Sequence, residues 1–194
     1  MNPLKKRIAI FASGSGSNAE NIFHYFKGNN SIEIVSFYCN NPKAGVIERA
    51  NRLGLPCHLF VKEEFIETKK IVELLQAEQI NYIVLAGFLL KVPENIIKAF
   101  SNRIVNIHPA LLPNYGGKGM YGMKVHKAVV AANEKKSGIT IHKVNENYDE
   151  GAILFQAECI IEEQDTPEIV AAKVGELEYQ HFPRIIEQQL QLIK

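Results

Sequence analysis

A chain of 194 residues with 46% hydrophobic and 22% charged side chains has the makeup of an ordinary globular domain, which excludes a disordered solvating chain and a fibrous repeat. Its 22 Lys and Arg nearly cancel its 21 Asp and Glu, so no broad positive field gathers duplex nucleic acid, although a local anion pocket is allowed. The longest nonpolar run, Ile83 to Leu90, is eight residues, against the roughly 20 that a membrane-crossing helix needs.

Lys5, Lys6 and Arg7 followed by apolar residues imitate a leader, but the run is short and passes into Ser13-Gly14-Ser15-Gly16, so Arg7 to Ala12 reads as a first strand. From there short β-branched runs alternate with stretches of helical period, the mark of βαβ units on a parallel sheet. Asn18 is positioned to cap a helix through Lys27, Ile32 to Tyr38 is the next strand, and Gly45 to Leu53 is a helix stopped by Gly54. His58 to Phe60 is a weaker strand, and Glu64 to Gln79 is expected as one helix with Phe65, Ile71, Leu74 and Leu75 on its buried stripe. Tyr82 to Ala86, Ile104 to Ile107, Ile139 to Val144 and Ile153 to Glu158 complete the strands. A last helix opens at Asp165-Thr166-Pro167-Glu168, with the acidic residue as cap, and runs through Ile169, Val174, Leu177, Ile185, Leu190 and Ile193, broken or kinked by Pro183. No repeat or linker divides the chain, so one α/β domain is expected. Cys39, Cys57 and Cys159 are odd in number and widely spaced, and read as reduced hydrophobes rather than disulfide partners or zinc ligands.

Two places carry chemistry. Gly14-Ser15-Gly16-Ser17-Asn18-Ala19 follows a strand and opens a helix, where backbone N–H groups and the helix dipole suit a phosphate; a tight turn without ligand is the alternative. A dinucleotide site needs an acidic residue at the end of the second strand, but that place reads Tyr38-Cys39-Asn40-Asn41, so a monophosphate or ribose phosphate fits better than a nicotinamide cofactor. A Walker loop also fails, for want of Gly-Lys-Ser/Thr. The second place is Asn106-Ile107-His108-Pro109, two polar side chains two residues apart, hence on one face, at a strand's C-terminal end. Two such donors suit an oxyanion forming on a carbonyl carbon, and the alternative is a strand cap. The next segment, Pro109 to Gly122, has two Pro and four Gly in 14 residues, a loop long enough to be functional.

The stretch Asn106-Ile-His-Pro-Ala-Leu-Leu-Pro113, with Leu85-Ala-Gly-Phe88 before it and Asp149-Glu-Gly151 after it, resembles the glycinamide ribonucleotide formyltransferase family, the folate-dependent enzymes of purine synthesis. The resemblance runs from Ile8 to Pro183 and implies a Rossmann-like, mostly parallel sheet with helices on both faces, residues 1–194 forming a single formyltransferase domain. It implies catalysis by Asn106, His108 and Asp149 with no metal, no covalent intermediate and no tightly bound cofactor. It implies that Gly16, Ser17 and Asn18 hold the substrate phosphate, with Gly175, Glu176, Leu177 and Glu178 facing the ribonucleotide. The pocket for the co-substrate 10-formyltetrahydrofolate is implied at Leu89, Leu90, Lys91 and Val92 and at Asn145, Glu146, Asn147, Tyr148 and Asp149, with Asn106 between the two segments. Asp149 beside His108 is expected to raise the imidazole pKa and keep it charged near neutral pH. The partners expected are these small molecules, without nucleic acid or membrane, in a cytoplasmic monomer or weak homodimer.

Two departures from the family pattern stand out. Leu89-Leu90 replaces a common Met-Arg, which removes any contact of the Arg side chain. The loop after Pro113 is several residues longer than usual, and Lys118, Lys124 and His126 in and beside it are left outside the site. His142, in the matching stretch Gly138-Ile-Thr140-Ile-His142, is as compatible with structure as with contact. Related readings share the formyl donor. Methionyl-tRNA formyltransferases carry an added tRNA-binding domain and lack the Gly-Ser-Asn turn, and formyltetrahydrofolate deformylases carry an added regulatory domain. A non-catalytic phosphate-binding module is the reading from another class.

Overall fold

In the structure, a computed structural model describing residues 5–192, the strand and helix runs alternate as the apolar periods require. In chain order the elements are β1 (Lys6–Phe11), α1 (Ser17–Phe26), β2 (Ile32–Cys39), α2 (Gly45–Leu53), β3 (Cys57–Leu59), α3 (Lys62–Glu67) and α4 (Lys70–Ala77). They continue with β4 (Tyr82–Leu85), α5 (Glu94–Ala99), β5 (Ile104–His108), α6 (Met123–Ala131), β6 (Lys136–Lys143), β7 (Ile153–Ile160) and α7 (Pro167–Gln191). Ile193, expected on the last helix, lies outside the described residues.

The strands form one seven-stranded sheet in the order β3-β2-β1-β4-β5-β6-β7. The first five are parallel, and β6 and β7 are antiparallel to their neighbours. The chain winds outward from β1 to β3 and returns to β4 on the other side of β1, so the ends of β1 and β4 flank a switch point where a crevice must open. Side-chain alternation builds two cores. Ile8 and Ile10 of β1 pack with Ile22, Val46, Val125 and Phe182 beneath α1, α2, α6 and α7, whereas Ala9 and Phe11 pack with Phe65, Ile71, Leu75 and Ile96 beneath α3, α4 and α5. Helices therefore cover both faces.

Four local expectations give way. The helix expected over Glu64 to Gln79 is two, because Thr68 between them is extended (φ −120°, ψ 169°) and turns its hydroxyl back to the Glu64 carbonyl at 2.7 Å. The reason is angular: at about 100° per residue, Phe65 and Ile71 would lie roughly 120° apart on one continuous helix, and the break lets both be buried. Asn18 is not the cap of α1, since the helix starts at Ser17 with Gly16 before it and the Asn18 amide reaches Glu178 instead. Thr166 rather than Asp165 caps α7, accepting from the Ile169 N–H, while Asp165 pairs with Lys173. Pro183 does not end α7, which is one helix from Pro167 to Gln191.

Pro183 is accommodated by a neighbour. A proline inside a helix leaves the carbonyl four residues earlier without its N–H donor. That carbonyl is Tyr179's, and Asn21 of α1 donates its side-chain amide to it at 3.0 Å. Asn21→Ala is expected to lower stability by about 0.5–1.5 kcal/mol, measured by denaturant unfolding, and clearly less in a Pro183→Ala background, where residue 183 regains its own N–H. Equal losses in both backgrounds would assign Asn21 a different role.

Candidate active site at the C-terminal edge of the sheet

The glycine turn after β1 is held from two sides. The Ser13 N–H donates to the Gly87 carbonyl (3.1 Å) and the Leu89 N–H to the Ser13 hydroxyl oxygen (3.0 Å), which ties the loop after β1 to the loop after β4. The Ser13 hydroxyl donates in turn to Asn40 (2.6 Å), and the Asn41 amide to the Ser13 carbonyl (3.2 Å). The two asparagines standing where a dinucleotide site has its carboxylate thus brace the turn. Gly16 has φ 76°, and a Cβ there would fall 2.6 Å from the Val46 side chain, so both its conformation and its contact with α2 demand glycine. Behind the turn, the Asn18 amide donates to Glu178 of α7 at 2.7 Å. Burial raises the Glu178 pKa and outweighs the opposing Asn18 hydrogen bond.

Asn106 and His108 lie on the same face of β5 as Ile104, which belongs to the α3–α5 core, and continue that face past the helices' cover. His142 on β6 pairs in register with Asn106. Its Nδ1 can only donate to the Lys143 carbonyl (2.8 Å), which leaves Nε2 to accept from the Asn106 amide at 3.1 Å. One Asn106 N–H is thereby fixed and the other is free for a ligand. His108 donates from Nε2 to the Tyr115 carbonyl (2.8 Å), while its Nδ1 lies 3.6 Å from Asp149 Oδ2.

Asp149 arrives from the β6–β7 connection with φ 55°, in the left-handed region that Asp adopts more readily than most side chains. Its carboxylate, 13% exposed, accepts from the Gly117 N–H at 2.9 Å and has His142 Nε2 3.6 Å from Oδ1. Burial pushes its pKa up, but the nearby His108 and the Gly117 N–H hold it below the usual carboxylate range. His108 behaves otherwise than its neighbour suggests. Burial lowers its pKa more than Asp149 and the Tyr115 carbonyl raise it, so it stands below the ordinary histidine value of 6.5 rather than above. At 3.6 Å the carboxylate makes no hydrogen bond to the ring, and desolvation wins.

These groups share one cavity of about 630 Å³. Of the expected residues, Gly16, Ser17, Asn18, Leu89, Asn106, His108, Tyr148, Asp149 and Glu178 line it. The others do not. Val92 is buried and Leu90 partly buried in the α3–α5 core, Lys91 lies 5.8 Å over the Tyr148 ring, and Asn145 accepts the Asn147 N–H within its own turn. Glu146 and Glu176 are exposed, Leu177 packs on the other core, and Gly175 is off the wall. Sequence reasoning left out the rest of the wall, notably Gly87 and Phe88, the loop at 117–122 and His126. His126 is buried, its Nδ1 has no partner, and burial followed by the nearby His108 lowers its pKa. Its position one turn into the helix after the glycine-rich loop was the available signal. Among the described residues no group of three or more His, Cys, Asp or Glu is placed to hold a metal ion, and no helix is long and apolar enough to cross a membrane.

Comparison with known proteins places the whole fold. The chain is 38% identical over 191 residues to the chloroplastic phosphoribosylglycinamide formyltransferase of Arabidopsis thaliana, covering 95% of this chain and 65% of the plant protein. It therefore spans slightly less than two thirds of that relative. It is 35% identical over 193 residues to phosphoribosylglycinamide formyltransferase of Bacillus subtilis, covering 96% of each. The crystal structure of phosphoribosylglycinamide formyltransferase from Bacillus halodurans superposes with a TM-score of 0.85 at 35% identity, over 97% of this chain and 96% of the other. Because the formyl transferase model matches residues 6–186, nearly the whole sheet with its cleft, the chain belongs to the formyl transferase family.

Proposed function

We propose that the protein transfers the formyl group of 10-formyltetrahydrofolate to the primary amine of glycinamide ribonucleotide, also called phosphoribosylglycinamide, in purine biosynthesis. The observation that carries this reading is one cleft joining two kinds of site: a glycine turn suited to phosphate at one end and Asn106, His108 and Asp149 at the other. The names of the relatives point the same way.

In this reading the Gly16-Ser17-Asn18 turn receives the phosphate, and Glu178, the member of the 175–178 segment on the cleft wall, faces the ribonucleotide. Leu89 and Tyr148 face the folate, with Leu90 to Val92 and Asn145 to Asn147 supporting them from behind. Formyl folate is a co-substrate, no resident cofactor takes part, and the enzyme works in the cytoplasm as a monomer or weak homodimer.

The amine attacks the formyl carbon, and the carbonyl oxygen becomes an oxyanion. Asn106 offers the amide N–H that His142 does not use, and His108 offers a second donor once a ring nitrogen exchanges its protein partner for the substrate. The low resting pKa of His108 means that its extra proton is acquired during the reaction, from the attacking amine, as the oxyanion adds the negative charge that favours imidazolium. The ionised Asp149 stabilises that imidazolium. The proton then passes through water to the folate nitrogen as the C–N bond breaks, so the amine loses one proton and the leaving nitrogen gains one.

Asp149→Asn is expected to lower kcat by on the order of 10² to 10³ with ligand affinity largely retained. Steady-state kinetics together with equilibrium binding separate this from a binding module, which would keep its affinity and have no turnover to lose. The first assay follows loss of formyltetrahydrofolate with and without glycinamide ribonucleotide, and equal loss without the acceptor would indicate hydrolysis. In an NMR titration of the free protein, the His108 ring is expected to titrate below pH 6.5, and lower still in Asp149→Asn because the carboxylate's attraction is gone. A midpoint above 6.5 would mean that Asp149 outweighs burial.

A further inference from the structure

The cleft wall has a charge problem. Besides its histidines it presents the carboxylates of Asp149 and Glu178, yet in the reading above it receives a phosphorylated substrate. Arg49 touches the glycine turn through the Ser15 carbonyl (2.8 Å), but its guanidinium is already paired with Glu20, which also engages Arg52. Lys118 is the single Lys or Arg on the wall, and among the described residues it makes no hydrogen bond or ion pair. Lys124, the other lysine in this region, is occupied: its ammonium donates to the Tyr121 hydroxyl (3.1 Å) and sits 4.5 Å over that ring.

The loop that carries Lys118 has a backbone that favours glycine on both sides of it. Gly117 and Gly119 flank it with φ of 90° and 92°, and a Cβ at either would meet nothing within 4 Å, so backbone freedom rather than packing accounts for glycine there. The base of the loop is fixed, because the Gly117 N–H donates to Asp149 at 2.9 Å. An exposed ammonium on a two-glycine mount, hinged beside the reacting groups, can fold over the cleft mouth.

We propose that Lys118 is a substrate-binding residue: its ammonium pairs with the phosphate of the ribonucleotide held in the Gly16-Ser17-Asn18 turn, and the 117–122 loop closes over that phosphate as it does so. This rests on the reading of the turn as a phosphate site.

The test compares wild type with Lys118→Ala and Lys118→Arg in steady-state kinetics, using ribose 5-phosphate and ribose as competitive inhibitors against glycinamide ribonucleotide. For Lys118→Ala the KM for the ribonucleotide is expected to rise about ten- to a hundredfold, as for loss of one charge-assisted hydrogen bond. Inhibition by ribose 5-phosphate should weaken by a similar factor, with inhibition by ribose, the KM for formyl folate and kcat within about twofold of wild type. Lys118→Arg should recover most of the loss. Unchanged ribose 5-phosphate inhibition in Lys118→Ala would overturn the proposal, as would a rise confined to the folate KM. If wild type itself binds ribose 5-phosphate no better than ribose, the phosphate reading of the turn fails and the proposal falls with it.

Discussion

A carboxylate set into the wall of a cleft must be compensated, and the arrangement of this site follows from how Asp149 is. Three groups from three places meet it: the Gly117 N–H from the glycine-rich loop, His108 from the end of β5 and His142 from β6. Remove the carboxylate and the Gly117 N–H loses its acceptor and His108 its nearest negative charge, while His142 stays held by the Lys143 carbonyl and Asn106. The order of dependence runs from one charge outward to a strand end, a hairpin and the base of the glycine-rich loop. Glu78, far along the chain, obeys the same rule, its carboxylate taking hydrogen bonds from Ser36, Tyr38 and His58 and thereby joining α4 to β2 and β3.

The sheet supplies the place and the loops supply the chemistry. Because strand order reverses beside β1, the loops after β1 and β4 part at the sheet's edge, and the end of β5 opens into the gap. Two hydrogen bonds of Ser13 keep those loops in register with each other, and two more with Asn40 and Asn41 brace it from the end of β2, so the glycine turn cannot shift relative to Leu89 without breaking the first pair. Asn106 and His108 are carried on a strand, while Lys118, the single Lys or Arg on the wall among the described residues, stands in a loop between two glycines of positive φ. In the proposed reaction that division suits a proton transfer that needs close placement and a phosphate that must enter and leave.

The parts of the site legible in the sequence were those whose chemistry is carried by neighbours in the chain. Asn106 and His108, two residues apart at a strand end, had to share a face, and the Gly-Ser-Asn turn had to open a helix. Asp149 entered through family resemblance, since nothing local to the 145–151 segment says that it folds back onto β5. That Lys118 lies on the cleft wall is not legible in the sequence, because which cations line a cleft is decided only in the folded molecule. The direction of the His108 pKa was misjudged for a related reason: the sign is a contest between burial and a charge 3.6 Å away, and neither burial nor distance is written in the order of residues.

Periodicity determined the α/β class and most of the strands by itself, because the apolar period of two or 3.6 is a property of neighbouring residues and survives any tertiary context. Where an element's continuity hung on a distant partner, the tertiary structure decided. The break at Thr68 was required by a core that wanted both Phe65 and Ile71, and the unbroken helix through Pro183 was allowed by Asn21, 162 residues away in the chain, donating to the Tyr179 carbonyl. Sequence sets local preference, and packing and hydrogen-bond satisfaction across the chain select among the preferences that remain.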